Sequence, residues 1–105
     1  MTQTTVVHRK HAHDVYIGRK KGTANHFGNP FSFLNQPHTI RVESREACIE
    51  AFRQWLNSEP KWAHVEPKRR LWILLNMHKL RGKRLGCFCK PKGCHGDVLA
   101  EMLKN

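Results

Sequence analysis

The stretch KRLGCFCKPKGCHGDVLAEMLK, residues 83–104, determines the C-terminal part of the fold. Lys83 to Cys89 is predicted to form a strand, and Lys90 to Gly93 a turn, because proline and glycine favour turns. From Asp97 to Lys104 apolar residues recur at helical spacing, which predicts a short helix. The residues expected to face inward on it are Val98, Leu99, Met102 and Leu103.

Two further helices are predicted before this stretch. The first begins after Ser44, whose hydroxyl suits an N-cap, and ends before Pro60. Its apolar residues share one face, and they are Cys48, Ala51, Phe52, Trp55 and Leu56. The second begins at Pro67 and ends at Gly82, because proline is favoured in the first helical turn and glycine stops helices. Its pattern runs through Leu71, Leu74, Leu75 and His78.

The N-terminal part predicts two short strands and a long loop. The runs TTVVH, residues 4–8, and VYI, residues 15–17, are rich in β-branched residues, and a polar connector of hairpin length joins them. Residues 19–41 have neither strand nor helix periodicity, which is typical of a binding loop in a compact domain. The predicted order β-β-loop-α-α-β-α gives an α/β fold of the mixed α+β kind, a small sheet flanked by about three helices.

Length and charge restrict the class of protein. A chain of 105 residues is expected to form one domain, residues 1–105. The net charge of +11 favours an anionic partner, either a nucleotide or nucleic acid. The apolar runs are too short for a membrane span or a signal peptide, so we expect no membrane partner and a cytoplasmic location. The sequence patterns do not predict an oligomeric state.

Three of the four cysteines lie between Cys87 and Cys94, which is too clustered for a disulfide framework and suits metal binding or chemistry. Side chains alternate along a strand, so Cys87 and Cys89 are expected on the same face. A first interpretation is a mainly structural zinc ion bound by Cys87, Cys89, Cys94 and His95. The C-x-C spacing and the adjacent Cys94 and His95 depart from common zinc motifs, and the fourth ligand could instead be His11 or His13.

Two other interpretations of this segment stay open. In one, the site holds no metal: Cys94 is an activated thiol at a helix start, His95 is an acid or base, and Asp97 caps the helix or orients the imidazole. These three are then candidate catalytic residues, and the helix start holds a phosphate or carboxylate. In the other, the cysteines are buried packing residues and residues 95–97 are a helix cap.

The loop sequence GNPF, residues 28–31, and Arg19 supply candidate ligand-binding residues. Gly28 permits close backbone approach, Asn29 offers an amide, and Pro30 stiffens the loop, although the same letters form ordinary turns. In DVYIGR, residues 14–19, the predicted strand ends at Gly18, and Arg19 follows it in the loop. A guanidinium at that position is suited to form bidentate hydrogen bonds with a phosphate or carboxylate.

Five segments together resemble a family of small uncharacterised domains of bacteria, archaea and their phages, which implies a bacterial cell or the host of a phage as the location. They are VVH (6–8), DVYIGR (14–19), FGNPF (27–31), SRE (44–46) and LRGKRLGCFCKPKGCHGDVLAE (80–101). The chain differs from the family pattern at His8, where asparagine is usual, and at Phe27 and Phe88, where tryptophan is usual. The resemblance covers nearly the whole chain and implies no activity, because the family has no known function.

The function expected from these observations is binding of a nucleotide or nucleic-acid-type anion, with or without zinc, where Arg19 and GNPF meet residues 87–97. The first alternative is a small enzyme of the glycosyl or ribosyl transfer type, acting on a nucleotide or nucleoside through Cys94, His95 and Asp97. The second is a non-specific basic nucleic-acid-binding protein. Its basic segments would be residues 68–70 and 81–84.

Overall fold

The computed structural model describes residues 3–20, 23 and 25–104. Its strands are β1 (Thr5–His8), β2 (Val15–Tyr16), β3 (Phe31–Ser32), β4 (Ile40–Arg41) and β5 (Arg84–Cys87). Its α-helices are α1 (Arg45–Leu56), α2 (Pro67–Asn76) and α3 (His95–Met102). Two short 3₁₀ helices cover Pro60–Trp62 and Met77–Leu80. The predicted mixed α+β class and the order of its main elements are confirmed.

The main sheet has the strand order β1-β5-β2, and both outer strands run parallel to β5. The polar connector between β1 and β2 therefore does not close a hairpin, because β5 lies between the two strands. All three carboxyl ends, at His8, Tyr16 and Cys87, lie at one edge of the sheet. Ligands of parallel sheets commonly bind in a crevice outside that edge.

The long loop contains a second, very small sheet that the sequence pattern did not predict. Phe31 of β3 pairs with Ile40 of β4 in parallel. A strand of two residues shows no periodicity, so no sequence pattern marks it. The pair fixes the middle of the loop against α1, and Phe31 is 1% exposed.

Helix α1 forms as its sequence predicts. The Ser44 Oγ accepts a hydrogen bond from the backbone N–H of Ala47 at 3.0 Å, and the predicted apolar face is buried. Trp55 is 1% exposed, and its indole N–H donates to the carbonyl of Val65 at 2.7 Å. This satisfied tryptophan anchors the start of the segment that leads into α2.

Helices α2 and α3 differ from prediction at their ends. Helix α2 ends at Asn76, and a 3₁₀ turn continues the chain to Leu80. Gly82 still turns the chain, with a φ of 75° that favours glycine. Helix α3 begins at His95 instead of Asp97, because Cys94 is its N-cap. Met102 is 38% exposed, so the prediction that it faces inward is wrong.

Helices α1 and α3 pack against each other, and α3 also packs against β1. The largest fully buried side chains are Trp55, Phe31, Phe52, Ile17, Ile73, Leu80, Leu85, Leu99 and Val98. Within the described ranges, every helix is too short or too polar to cross a membrane.

Candidate functional site

A cavity of about 490 Å³ opens at the carboxyl edge of the main sheet. The segments after β2 and β5 line it, together with the long loop, the first turns of α1 and the start of α3. The three sequence segments predicted to form one site, around Arg19, GNPF and Cys87 to His95, all contribute lining residues. All four cysteines of the chain line it as well: Cys48, Cys87, Cys89 and Cys94.

Arg19 fastens the long loop to the end of β2. Its Nε donates to the carbonyl of Asn29 at 2.9 Å, and its Nη2 donates to the carbonyl of Phe31 at 2.8 Å. Its Nη1 donates to the Gln36 side chain at 2.7 Å. Three of the five guanidinium N–H groups thus hold the protein's own loop within the part of the chain that the structure describes.

Arg69 of α2 holds the same loop from the other side. Its side chain is 4% exposed, and its Nη1 donates to the carbonyls of His26 at 3.0 Å and Gly28 at 2.6 Å. Its Nε and Nη2 bind the Glu66 carboxylate at 2.8 and 3.2 Å. This role was not predicted from the sequence, because Arg69 lies in the basic run of residues 68–70, which suggested nucleic-acid binding.

The remaining carbonyls of this part of the loop are also bound. The Phe27 carbonyl lies 3.0 Å from the His95 Nε2. Two backbone N–H groups donate to the other two carbonyls, Ile40 to Pro30 and Val42 to Ser32. We call residues 26–32 the loop wall. Each of its carbonyls accepts a hydrogen bond, although the segment has little regular structure.

The predicted ligand residues on the loop wall have largely internal contacts. The Asn29 side chain accepts from the Phe31 N–H at 3.0 Å and donates to the Cys48 carbonyl at 3.2 Å. A Cβ at Gly28 would lie 2.9 Å from the Cα of Arg19, so glycine is needed for close packing. Gly28 and Pro30 are buried and do not line the cavity. Of the four predicted ligand residues, Arg19 and Asn29 reach it.

A second part of the cavity lining comes from residues 87–95, which we call the cysteine wall. Cys87, Cys94 and His95 are buried and offer ligand atoms that lie within 4.8 Å of one another. In a tetrahedral zinc site, bonds of about 2.3 Å place sulfur atoms roughly 3.8 Å apart, which is close to this arrangement. The three residues could therefore hold a metal ion. Cys89, the fourth ligand predicted from the sequence, is not part of this group.

The thiols of the cysteine wall differ in acidity. A hydrogen bond with Cys87 lowers the pKa of the Cys94 thiol, although burial opposes this effect. The N–H of Gly96 also donates to the Cys94 Sγ at 3.2 Å, as expected for the N-cap of α3. Contact with Cys87, followed by burial, raises the pKa of Cys89 far above its usual range. Cys94 is therefore more easily deprotonated than Cys89.

His95 and Asp97 do not form an acid–base pair. The His95 ring is buried with its Nε2 2.9 Å from the Ile17 carbonyl, so Nε2 carries a proton. The Asp97 carboxylate accepts from the Cys94 N–H at 3.1 Å and pairs with Lys90 at 2.8 Å. Of the two predicted roles for Asp97, the structure therefore has the helix cap, in a capping box with Cys94.

Cationic and aromatic side chains line the rest of the cavity. Sequence analysis did not single out Arg45 or Lys92, which line it together with Arg19. The Arg45 guanidinium lies over the Phe33 ring at 4.8 Å, and the Lys92 ammonium forms no ion pair within the described part of the chain. No carboxylate occurs among the described lining residues. The cavity is positively charged and suited to an anion.

The basic segments that suggested non-specific nucleic-acid binding are partly engaged internally. Besides Arg69, Arg70 donates to the carbonyls of Trp55 and Leu56 at 2.6 and 2.9 Å and so caps α1. Arg84 binds Asp14 and lowers the pKa of that carboxyl to about 2. These three guanidinium groups are thus bound to the protein itself.

The chain belongs to a family of small domains. A family model described as Domain of unknown function (DUF4326) matches residues 2–105. The chain is also similar to an uncharacterized 12.4 kDa protein in the nrdA-td intergenic region of Enterobacteria phage T4, with 45% identity over 65 residues. That match covers 57% of this chain and 49% of the phage protein, so it spans about half of that relative's length. No solved structure matches.

Proposed function

We propose that the cavity binds a nucleotide-type ligand, in which an anionic group is attached to a planar ring. The observation that carries this proposal is the combination of three cations and several aromatic rings around one cavity, with no carboxylate among its described lining residues. Arginine is suited to phosphate, and aromatic side chains are suited to a flat base. The volume of about 490 Å³ is in the range of small-molecule sites.

Isothermal titration calorimetry tests this proposal with the four ribonucleoside monophosphates as probes and the matching nucleosides as uncharged controls. We expect at least one monophosphate to bind, and its nucleoside to bind about tenfold more weakly, a difference of about 1.4 kcal/mol. Lys92→Ala should weaken binding of the monophosphate but not binding of the nucleoside. Lys79→Ala, an exposed lysine outside the cavity, is the matched control. Equal binding of nucleoside and monophosphate, or none at millimolar concentration, would contradict the proposal.

We propose zinc as the ion for Cys87, Cys94 and His95. Two thiolates and an imidazole are a donor set that zinc favours. The His95 Nε2 donates to backbone carbonyls, which is the contact that metal-binding histidines commonly make with their other nitrogen. Elemental analysis of protein purified without added metal should find zinc in excess of iron and copper. A predominance of either of those metals would contradict zinc.

A second candidate function is transfer of a nucleoside's sugar to Cys94. The lowered pKa of this thiol, which faces the cavity, favours it. Its sulfur would bond to the anomeric carbon as the base leaves with the bonding electrons and gains a proton, and water would then release the sugar. This function excludes a metal on Cys94. Mass spectrometry of the intact chain after incubation with nucleosides should show a pentose adduct on Cys94 if it is correct, and no adduct if Cys94 binds zinc.

A further inference from the structure

The donor group on the cysteine wall has three members, and all three line the cavity. We propose that the metal held by Cys87, Cys94 and His95 keeps a fourth coordination position open to the cavity, and that the anionic group of the ligand occupies it. This inference rests on the proposed function and makes it more specific. It assigns the metal to ligand binding instead of the mainly structural role expected from the sequence.

The number of donors is the first argument. Structural zinc sites use four protein ligands, whereas sites with three protein ligands keep a position for water or substrate. Cys89 is not within the group of three. Its thiol contacts Cys87, and its backbone N–H donates to the Cys87 Sγ at 3.5 Å, a contact that supports a metal-bound thiolate from outside. Cys48 also lies outside the group, on α1.

The second argument is that each donor is already oriented by a backbone contact. The Gly96 N–H donates to the Cys94 Sγ at 3.2 Å, as the Cys89 N–H does to Cys87. A neutral imidazole with its proton on Nε2 has its lone pair on Nδ1, so Nδ1 is the coordinating atom of His95. Such outer contacts fix ligand orientation before a metal binds.

The third argument is charge. Two thiolates and a divalent ion sum to zero, so the occupied site does not repel an anion. Arg45 and Lys92 line the same cavity and favour an anion there. No carboxylate among the described lining residues is placed to take a proton from a metal-bound water. The surroundings therefore favour coordination of an anionic ligand over activation of water.

Cobalt(II) replacement in the full chain tests this inference, because cobalt absorbs visible light and replaces zinc with the same geometry. The intensity of the sulfur-to-cobalt charge-transfer absorption scales with the number of bound thiolates. The d–d bands change with the identity of the fourth ligand. Sodium azide is the anionic probe. We expect it to change the d–d bands, and we expect this change to saturate as the azide concentration rises. Cys89→Ser and Cys48→Ser should keep both the sulfur absorption and the azide response, whereas Cys87→Ser should lose cobalt.

A closed site would give the opposite result. If azide leaves the d–d bands unchanged and Cys89→Ser removes about a third of the sulfur absorption, as expected from three thiolates becoming two, the open position is wrong. A nucleoside monophosphate that binds in calorimetry without changing the cobalt bands would overturn ligand coordination and leave the proposed function intact. An azide response without binding of any monophosphate would contradict the proposed function and support the open position.

Discussion

The loop wall and the cysteine wall both contribute residues to one cavity but differ in how their polar atoms are used. On the loop wall every carbonyl from His26 to Ser32 has a partner within the protein. On the cysteine wall, Cys87, Cys94 and His95 have ligand atoms that lie within 4.8 Å of one another. We infer that the loop wall shapes the cavity, while the chemistry belongs to the cysteine wall.

The largest expected effect on stability comes from Arg69→Met. The variant removes a buried guanidinium and leaves the carbonyls of His26 and Gly28 without their donors. We expect a loss of about 3 to 5 kcal/mol in the free energy of unfolding, measured with urea. Lys68→Met, at the exposed neighbouring position, should change it by less than about 0.5 kcal/mol. A loss below about 1 kcal/mol for Arg69→Met would mean that the loop wall does not depend on this side chain.

One glycine substitution on each wall allows the stability of the two walls to be compared directly. Gly28→Ala on the loop wall places a Cβ 2.9 Å from the backbone of Arg19, so we expect a loss of about 1 to 3 kcal/mol. Gly93→Ala on the cysteine wall meets the flexible end of Ile49 at 3.2 Å and should cost less. Thermal unfolding of both variants measures the difference. An equal loss of stability in both variants, or a larger loss for Gly93→Ala, would contradict the tighter packing of the loop wall.

Cys94→Ser is expected to change metal binding more than the metal-free fold. Serine is a favoured N-cap, so helix α3 should still form, and we expect the metal-free variant to lose less than about 1 kcal/mol. Without the thiolate, zinc binding should be lost. Urea unfolding in the presence of a chelator measures the first quantity. A variant that fails to fold under those conditions would show that Cys94 is needed for the structure itself.

The smallest effect concerns Glu66, which binds Arg69 behind the loop wall. Its hydrogen bond to Arg69 lowers the pKa of this carboxyl below its ordinary value of 4.5. The carboxylate therefore stabilises the fold above pH 4.5, and this contribution disappears as the pH falls through the lowered value. Glu66→Gln should reduce the pH dependence of stability in that acid range, whereas Glu43→Gln, also exposed, should not. Identical acid unfolding curves for Glu66→Gln and the unchanged protein would contradict this role.

Sequence patterns predicted those parts of the fold that depend on local interactions. The N-cap at Ser44 and the buried face of α1 follow from spacing along one helix. The position of β5 between β1 and β2 could not be predicted, because strand pairing depends on contacts between residues about 80 positions apart.

As with the fold, the parts of the site that are local in sequence were predicted, and the parts that depend on distant contacts were not. Clustered cysteines indicated the cysteine wall, but Arg69 lies in a basic run that suggested nucleic-acid binding. Its role is visible only once the long loop lies beside α2. The same reason explains why Cys48 was missed, since α1 brings it to the cavity from a distant part of the sequence.

The zinc content of the chain and of Cys94→Ser, after equilibrium dialysis against zinc, tests the central claim most directly. We expect one zinc ion per chain in the unchanged protein and none in Cys94→Ser, with both proteins folded by circular dichroism. Zinc below about one tenth of an equivalent in the unchanged protein, or a full equivalent retained by Cys94→Ser, would contradict the assignment of metal chemistry to the cysteine wall.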